Sequence, residues 1–231
     1  MNRIALKSGL LAAAIVATPA LASAQTFGHA GQLVVSAERL FGFVSNSVKM
    51  DDPGQPEQTS HATSFELLGN LATTTYGFAR IGIDYFVIDG LTLGGSLAYV
   101  HASTSAESGG VSADGPTTSG FLVMPRVGYA AMFNDTVGIW PRGGFTYLSA
   151  TATSPNNLGS ADVTRSAITL EAPLIISPVP HTGFLIGPTL DLGVGGSDKA
   201  TIVNVAGVST TTSGDRKATD IGVQAGLFVY F

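Results

Sequence analysis

Apolar residues recur at every second position along almost the whole chain, and no other feature limits its fold as tightly. The C-terminal stretch "IGVQAGLFVYF" puts Ile221, Val223, Ala225, Leu227, Val229 and Phe231 on one parity. Asp220, Gly222, Gln224, Gly226, Phe228 and Tyr230 fall on the other. In "ARIGIDYFV" Ile81, Ile83, Tyr85 and Val87 oppose Arg80, Gly82, Asp84 and Phe86. The same reading holds for "LTLGGSLAYV", "FLVMPRVGYAA", "VGIWPRGGFTY", "ITLEAPLII" and "FLIGPTLDLGV". A period of two is the signature of a strand with one apolar face. Repeated this often, it implies an all-β barrel.

The remaining question is which face points inward. A soluble lipocalin-like barrel keeps apolar side chains inside and a charged surface outside. Such a surface uses roughly 25–35% charged residues, whereas only 12% of this chain is charged. The more polar parity is mostly Gly, Thr, Ser and Ala, which suits a narrow interior better than a water-facing wall. The N-terminus adds that the chain is exported. Arg3 and Lys7 precede "GLLAAAIVA", Pro19 interrupts it, and Ala22-Ser23-Ala24 offers small residues for cleavage. Residues 1–24 read as a signal peptide cut after Ala24 or Ala22, too short for a membrane helix. In 25–231 no apolar run approaches the ~20 residues of a membrane helix, so the expected spanning solution is a closed barrel.

Turn chemistry sets the count. "IDG" (88–90), "FND" (133–135) and "PVPH" (178–181) are tight junctions; 106–117, 153–162 and 198–215 are longer and rich in Gly, Ser and Thr. Short turns on one side and long loops on the other match an outer-membrane barrel, whose short turns are periplasmic. Strands are expected at about 32–46, 76–87, 91–105, 118–132, 136–152, 163–177, 182–197 and 216–231. This gives an eight-stranded antiparallel up-and-down transmembrane β-barrel over 25–231. Its even count requires 47–75 to be one long external loop holding strand-like structure at 63–70.

Eight strands leave a bore just wide enough for side chains to fill. The inward parity holds Glu38, Arg80, Asp84, Arg126, Arg142, Glu171, Asp191 and Asp220, read as structural ion pairs across the lumen. "ARIG", "PRVG" and "PRGG" repeat an Arg two residues before a Gly on that face. Arg39 resists: it shares the parity of Val35, Ala37, Phe41 and Phe43, and a lipid-facing Arg costs about 2–4 kcal/mol at mid-depth. A bulge near it would bring both Glu38 and Arg39 inside. The aromatics, including Tyr85, Phe86, Phe133, Trp140, Phe184, Phe228, Tyr230 and Phe231, are expected in interfacial girdles.

Sites of other chemistry are sparse. Nine basic residues remain against sixteen acidic ones once Arg3 and Lys7 are removed, which argues against nucleic acid as a partner. There is no cysteine, and His29, His61, His101 and His181 lack metal-ligand spacing. No catalytic, cofactor or metal residue is expected.

With the signal peptide, the alternating strands and the ending "VQAGLFVYF", the chain resembles the small OmpA/OmpX-type outer-membrane barrels. The resemblance implies the outer membrane of a Gram-negative-type bacterium, surrounded by its lipids and lipopolysaccharide. It implies that Val223, Ala225, Leu227, Val229 and Phe231 form an assembly signal read by the outer-membrane insertion machinery. The function expected is structural or surface-interacting, with a filled lumen and any extracellular ligand held by the loops. A narrow channel for ions or small solutes is one alternative. Another is a hydrolase: "YVHASTS" is similar to the His-x-Ser arrangement of outer-membrane lipid A deacylases, with Ser103 as nucleophile and His101 as base. Glu107 or Asp114 would supply the acid, and Thr104 stands where that family carries Asn.

Overall fold

The computed structural model describes residues 26–52, 54, 56–68, 74–108, 111–155, 159–203 and 208–231, with side chains described outside 104–114. The expected signal peptide, 1–24, lies outside the described residues. The strands are β1 (Leu33–Asp51), β2 (Gln58–Leu67), β3 (Arg80–Ile88), β4 (Leu91–Ser108), β5 (Val111–Tyr129), β6 (Ala131–Met132), β7 (Val137–Ile139), β8 (Arg142–Thr153), β9 (Gly159–Glu171), β10 (Leu174–Val179), β11 (Thr182–Val203) and β12 (Ser209–Tyr230). Antiparallel pairing runs β12–β1–β3–β4–β5–β8–β9–β11 and returns to β12, so eight wall positions close on themselves. β6, β7 and β10 prolong β5, β8 and β9 toward the end with the tight turns. Pro141 and Pro173 mark two of these breaks because they bring no N–H to the ladder. Their carbonyls still accept, from Tyr129 and Trp140 N–H at 2.9 Å each.

All three tight turns close as their residues dictate. Gly90 takes φ 79° between the paired Ile88 and Leu91. Asn134 Oδ1 accepts the N–H of Thr136 and Val137 at 2.9 and 2.8 Å, an Asx turn. His181 takes φ 66° beside Pro180, between Val179 and Thr182.

The wall is apolar outside. Ile81, Ile83, Leu93, Leu97, Val123, Val127, Ile168, Leu170, Ile186, Val223 and Leu227 are all exposed on its outer face. On β12 the outward apolar set runs from Ile221 to Phe231, the length of the roughly 9–11 residues a tilted strand needs to cross a bilayer. Phe43, Phe65, Tyr99, Phe121 and Tyr147 stand outward near its upper edge, with Tyr85, Tyr129, Phe133, Phe184 and Phe231 near its lower edge. The girdle expectation needs one correction. Phe86, Trp140, Phe228 and Tyr230 point into the barrel and are 0–3% exposed. Phe86, Phe228 and Tyr230 lie on the inward parity, and that parity outweighs the general preference of aromatic rings for the interface.

The loop boundaries also differ from expectation. The hairpin strands continue well above the apolar band, to Asp51, Ser108, Thr153 and Val203 on the ascending side. Thr- and Ser-rich stretches there pair as ladders, as in Thr201 with Thr211 and Thr151 with Asp162. Polarity reads as loop, but Thr is a good strand former and a strand in water needs no apolar face. Likewise 47–75 is not a single loop. β2 pairs with β1 from Phe41–Leu67 up to Met50–Gln58. β3 pairs with the lower part of β1, from Leu33–Tyr85 to Glu38–Arg80. β2 and β3 both descend, so they are the upper and lower halves of one wall position.

Candidate functional site

The lumen is the site, and it is filled in layers. At mid-height lies an ionic layer. Arg126 sends Nη1 and Nη2 to the two oxygens of Glu38 at 2.7 Å each, and Nε to Asp84 at 2.9 Å. Arg142 reaches Glu38 at 2.7 Å and Glu171 at 2.8 Å. Arg39 reaches Glu171 at 2.8 Å and Asp191 at 2.7 Å. All these side chains are buried. Ion pairs in such a place offset their own desolvation only with good geometry and full hydrogen bonding. Arginine supplies that geometry because its planar guanidinium meets carboxylates two bonds at a time.

Two residues expected in ion pairs are placed in the lumen with none among the described residues. Arg80 donates to the Tyr76 carbonyl at 2.7 Å and to Met124 Sδ at 3.3 Å. Asp220 accepts from Asn46 Nδ2, and from the Thr75 and Tyr76 N–H at 3.2 and 2.8 Å. The reason is a segment that reads in the sequence as the end of an external loop, to 75, and the start of a strand, from 76. Residues 74–79, between β2 and β3, fold into the barrel as a strap, and its backbone takes the partners' place.

Arg39 is an inward residue that its parity assigned to lipid. The β1–β12 register runs Ala37–Leu227 and then Phe41–Ala225, so β1 carries two extra residues there. Two extra residues keep the odd positions outward on both sides while Arg39 turns in. Its φ is 54°, a left-handed backbone that costs a non-glycine residue of order 1–3 kcal/mol. The paired carboxylates and the Tyr76 carbonyl, 2.9 Å from Nη1, hold it there.

Above the ionic layer, Tyr76 and Phe78 of the strap pack with Ala98, Leu122, Leu148, Ala167 and Ala218. Below it, Phe86, Trp140, Phe228 and Tyr230 surround Phe27 from the N-terminal lead, with Val34, Ile175 and Leu185 completing the cluster. Two cavities inside are small. One of about 20 Å³ touches Glu38, Arg39, Arg142, Glu171 and Gln224, and one of about 10 Å³ lies beside Phe78 and Leu122. The first has room for about one water molecule. At the top, Arg165 pairs with Asp198 at 2.6 Å, and Arg216 pairs with Asp198 at 3.2 Å and Asp52 at 2.7 Å. These bonds tie β9, β11, β12 and the end of β1 together above the apolar band.

His101 and Ser103 both stand exposed on β4, on the outward parity of Tyr99. Neighbours of like parity on a strand lie about 6–7 Å apart along it, and no hydrogen bond joins this pair among the described residues. The side chains of Thr104, Glu107 and Asp114 lie outside the described residues. Among the described residues no cluster of three or more His, Asp or Glu is placed to hold a metal ion. Of the expected assembly-signal residues, Val223, Leu227 and Phe231 are exposed outward, Val229 is half-buried, and Ala225 is buried beside the β1 bulge.

No protein-family profile matches the chain. No curated protein is detectably similar in sequence. Solved structures do match in shape. The outer membrane protein OprG from Pseudomonas aeruginosa is 13% identical, with a TM-score of 0.55 over 90% of this chain and 99% of that one. The outer membrane protein AlkL in lipid bilayers is 15% identical, with a TM-score of 0.49 over 93% and 95%. The outer membrane protease OmpT from Escherichia coli is 8% identical, with a TM-score of 0.45 over 90% and 100%. Identity this low speaks only of fold: the chain is a closed eight-stranded antiparallel β-barrel of the kind found in outer-membrane proteins.

Proposed function

We propose that this chain is an outer-membrane barrel sealed along its axis, and that it serves as a rigid scaffold displaying its strand tops at the cell surface. The observation that carries this reading is the filled lumen: three packed layers of buried side chains, with cavities of about 20 and 10 Å³ in the two upper ones. An ion moving along the axis would have to displace guanidinium groups that are each held by two or more acceptors. The scaffold role rests on the extension of the strands above the apolar band and on the Arg165–Asp198–Arg216–Asp52 tie that stiffens it. A rigid scaffold carrying variable loops is the usual arrangement for binding. Its surroundings in this reading are outer-membrane lipids and lipopolysaccharide, reached by way of the outer-membrane insertion machinery, and its ligand is extracellular.

Planar-bilayer recording of the purified chain tests the seal. Baseline current with no stable open level is expected, whereas a reproducible open level would establish the narrow-channel alternative. The hydrolase alternative has its own measurement. Lipid A mass spectra from cells with the chain and with its Ser103→Ala variant should be identical, and acyl loss dependent on Ser103 would replace the scaffold reading.

A further inference from the structure

The lower layer contains a ring that no strand supplies. Phe27 belongs to the N-terminal lead, yet it is 3% exposed inside the barrel mouth. Its ring centroid lies 5.2 Å from Phe86, 5.5 Å from Trp140, 5.0 Å from Phe228 and 5.3 Å from Tyr230, each time edge-on. Edge-to-face packing at these distances is the favoured geometry between aromatic rings. Backbone hydrogen bonds anchor the lead on one side. Gly28 O accepts from Gly90 N–H and Phe86 O from Gly31 N–H, both at 2.8 Å, and Asp89 Oδ1 accepts from Ala30 N–H at 2.8 Å. Gln32 Oε1 accepts the N–H of Gly28 and His29 at 2.8 and 3.1 Å, which keeps the turn compact.

These contacts divide by strand. The anchors belong to β3 and its turn into β4, which lie on one side of β1. Phe228 and Tyr230 belong to β12, which lies on the other side of β1. Phe27 therefore bridges across the first strand, from its second neighbour in the chain to the last strand made. Half of its cage, Phe228 and Tyr230, is supplied from across the β1–β12 seam. That seam includes the mutual Leu33–Phe231 backbone bonds of 3.0 and 2.9 Å.

We propose that the lead, residues 26–31, is a closure latch: Phe27 seats only in the finished barrel and then holds the β12–β1–β3 seam and its mouth shut. A contact made only after the seam has closed is absent from the transition state for folding. It therefore slows unfolding and leaves the folding rate alone. This role is independent of what the strand tops bind, and its failure would leave the scaffold reading untouched.

Trp140 is the chain's one tryptophan, it is fully buried, and it touches Phe27, so its fluorescence reports the latch directly. In the mature chain folded into phospholipid vesicles, Phe27→Ala should raise acrylamide quenching of Trp140 and increase the unfolding rate at least tenfold. Its folding rate should stay within twofold of the parent. The space left by the ring should bind benzene, as dry apolar cavities do, and benzene should slow unfolding of Phe27→Ala but not of the parent. An unchanged unfolding rate, or folding slowed as much as unfolding is hastened, would overturn the latch. Should Phe27→Ala fail to fold, Phe27→Leu and the parent chain decide. The leucine variant should shift the unfolding rate alone, and protection of the parent's Trp140 should complete in the last folding phase. Full protection of Trp140 before β1 and β12 pair would refute the order of events.

Discussion

The repeated Arg-x-Gly of "ARIG", "PRVG" and "PRGG" has a steric basis. Each glycine faces inward and lies close to an arginine of another strand. A Cβ on Gly82 would fall on Ser36, Glu38 and Arg126; one on Gly128 would meet Arg142, Trp140 and Thr92; one on Gly144 would meet the Pro125 carbonyl, then Arg126 Cβ and Met124. The glycines make room for the guanidinium layer. Gly82→Ala should then destabilise the barrel by about 1–3 kcal/mol, the usual range for overpacking. Gly195→Ala, where the added carbon meets only Ser166 Oγ at 3.6 Å, should be near neutral. Denaturant unfolding in vesicles compares the two. Arg126→Met leaves Asp84 without its guanidinium and Glu38 with Arg142 as its one ion-pair partner among the described residues, and removing one partner of a buried pair costs about 3–5 kcal/mol. The midpoint of the same titration should fall accordingly. At this scale parity was a good guide to the charges, and the eight expected ones lie in the lumen; the girdle reading of Phe86, Phe228 and Tyr230 overrode the inward parity those rings share. Arg39 escaped it because a bulge of two residues leaves no trace in the alternation on either side. The trace it does leave is energetic: an Arg on the lipid parity is too costly to stay there.

Among the elements, the strap matters most, and it was the least legible. Its polar start, Thr74 and Thr75, resembles any loop, and 76–79 reads as the beginning of the next wall strand. What draws it inward is the set of buried acceptors and donors waiting there. Asp220 and Glu66 accept from it, and Arg39 and Arg80 donate to its Tyr76 carbonyl. The pairings of Arg39 and Asp220 join residues far apart in sequence, and a local pattern cannot reveal them. Asp220→Ala should loosen the strap without opening the wall. Amide exchange at 74–79 is expected to rise at least tenfold, while the β4–β5 amides exchange at the parent rate. Equal acceleration in both would show the strap to be an integral part of the wall. The long strand tops were missed for a simpler reason. Thr- and Ser-rich ladders above the apolar band have two wet faces, and alternation marks only strands with one dry face.

Seen whole, the barrel is closed by different chemistry at each height: aromatic rings at the mouth with the tight turns, ion pairs at the middle, then apolar side chains and the strap, with a charged tie at the top. Removing one layer leaves others in the path. Phe27→Ala, and separately Arg126→Met, should each remain non-conducting in a planar bilayer, while the double variant should show more leak than either. The fold was legible because a narrow bore and a lipid exterior both impose parity, and they impose it on every strand. The contents of the bore were legible only where a wall strand supplied them. Phe27 enters from a segment without periodicity, and the strap from one read as loop end and strand start rather than as a plug.

The divided second wall position has a consequence for how such a barrel can enlarge. β2 descends and β4 ascends, and among the described residues they are not hydrogen-bonded to each other; above Leu97, β4 pairs only with β5. Between two antiparallel neighbours the alternation of direction admits no added strand or two, never one. A self-pairing hairpin grafted between Leu68 and Thr74 would enter at that interval, giving ten strands in the outer half over eight at the base. The break in the second position is thus a ready insertion point, where a cylinder of fixed size can be widened into a funnel without recutting any existing register.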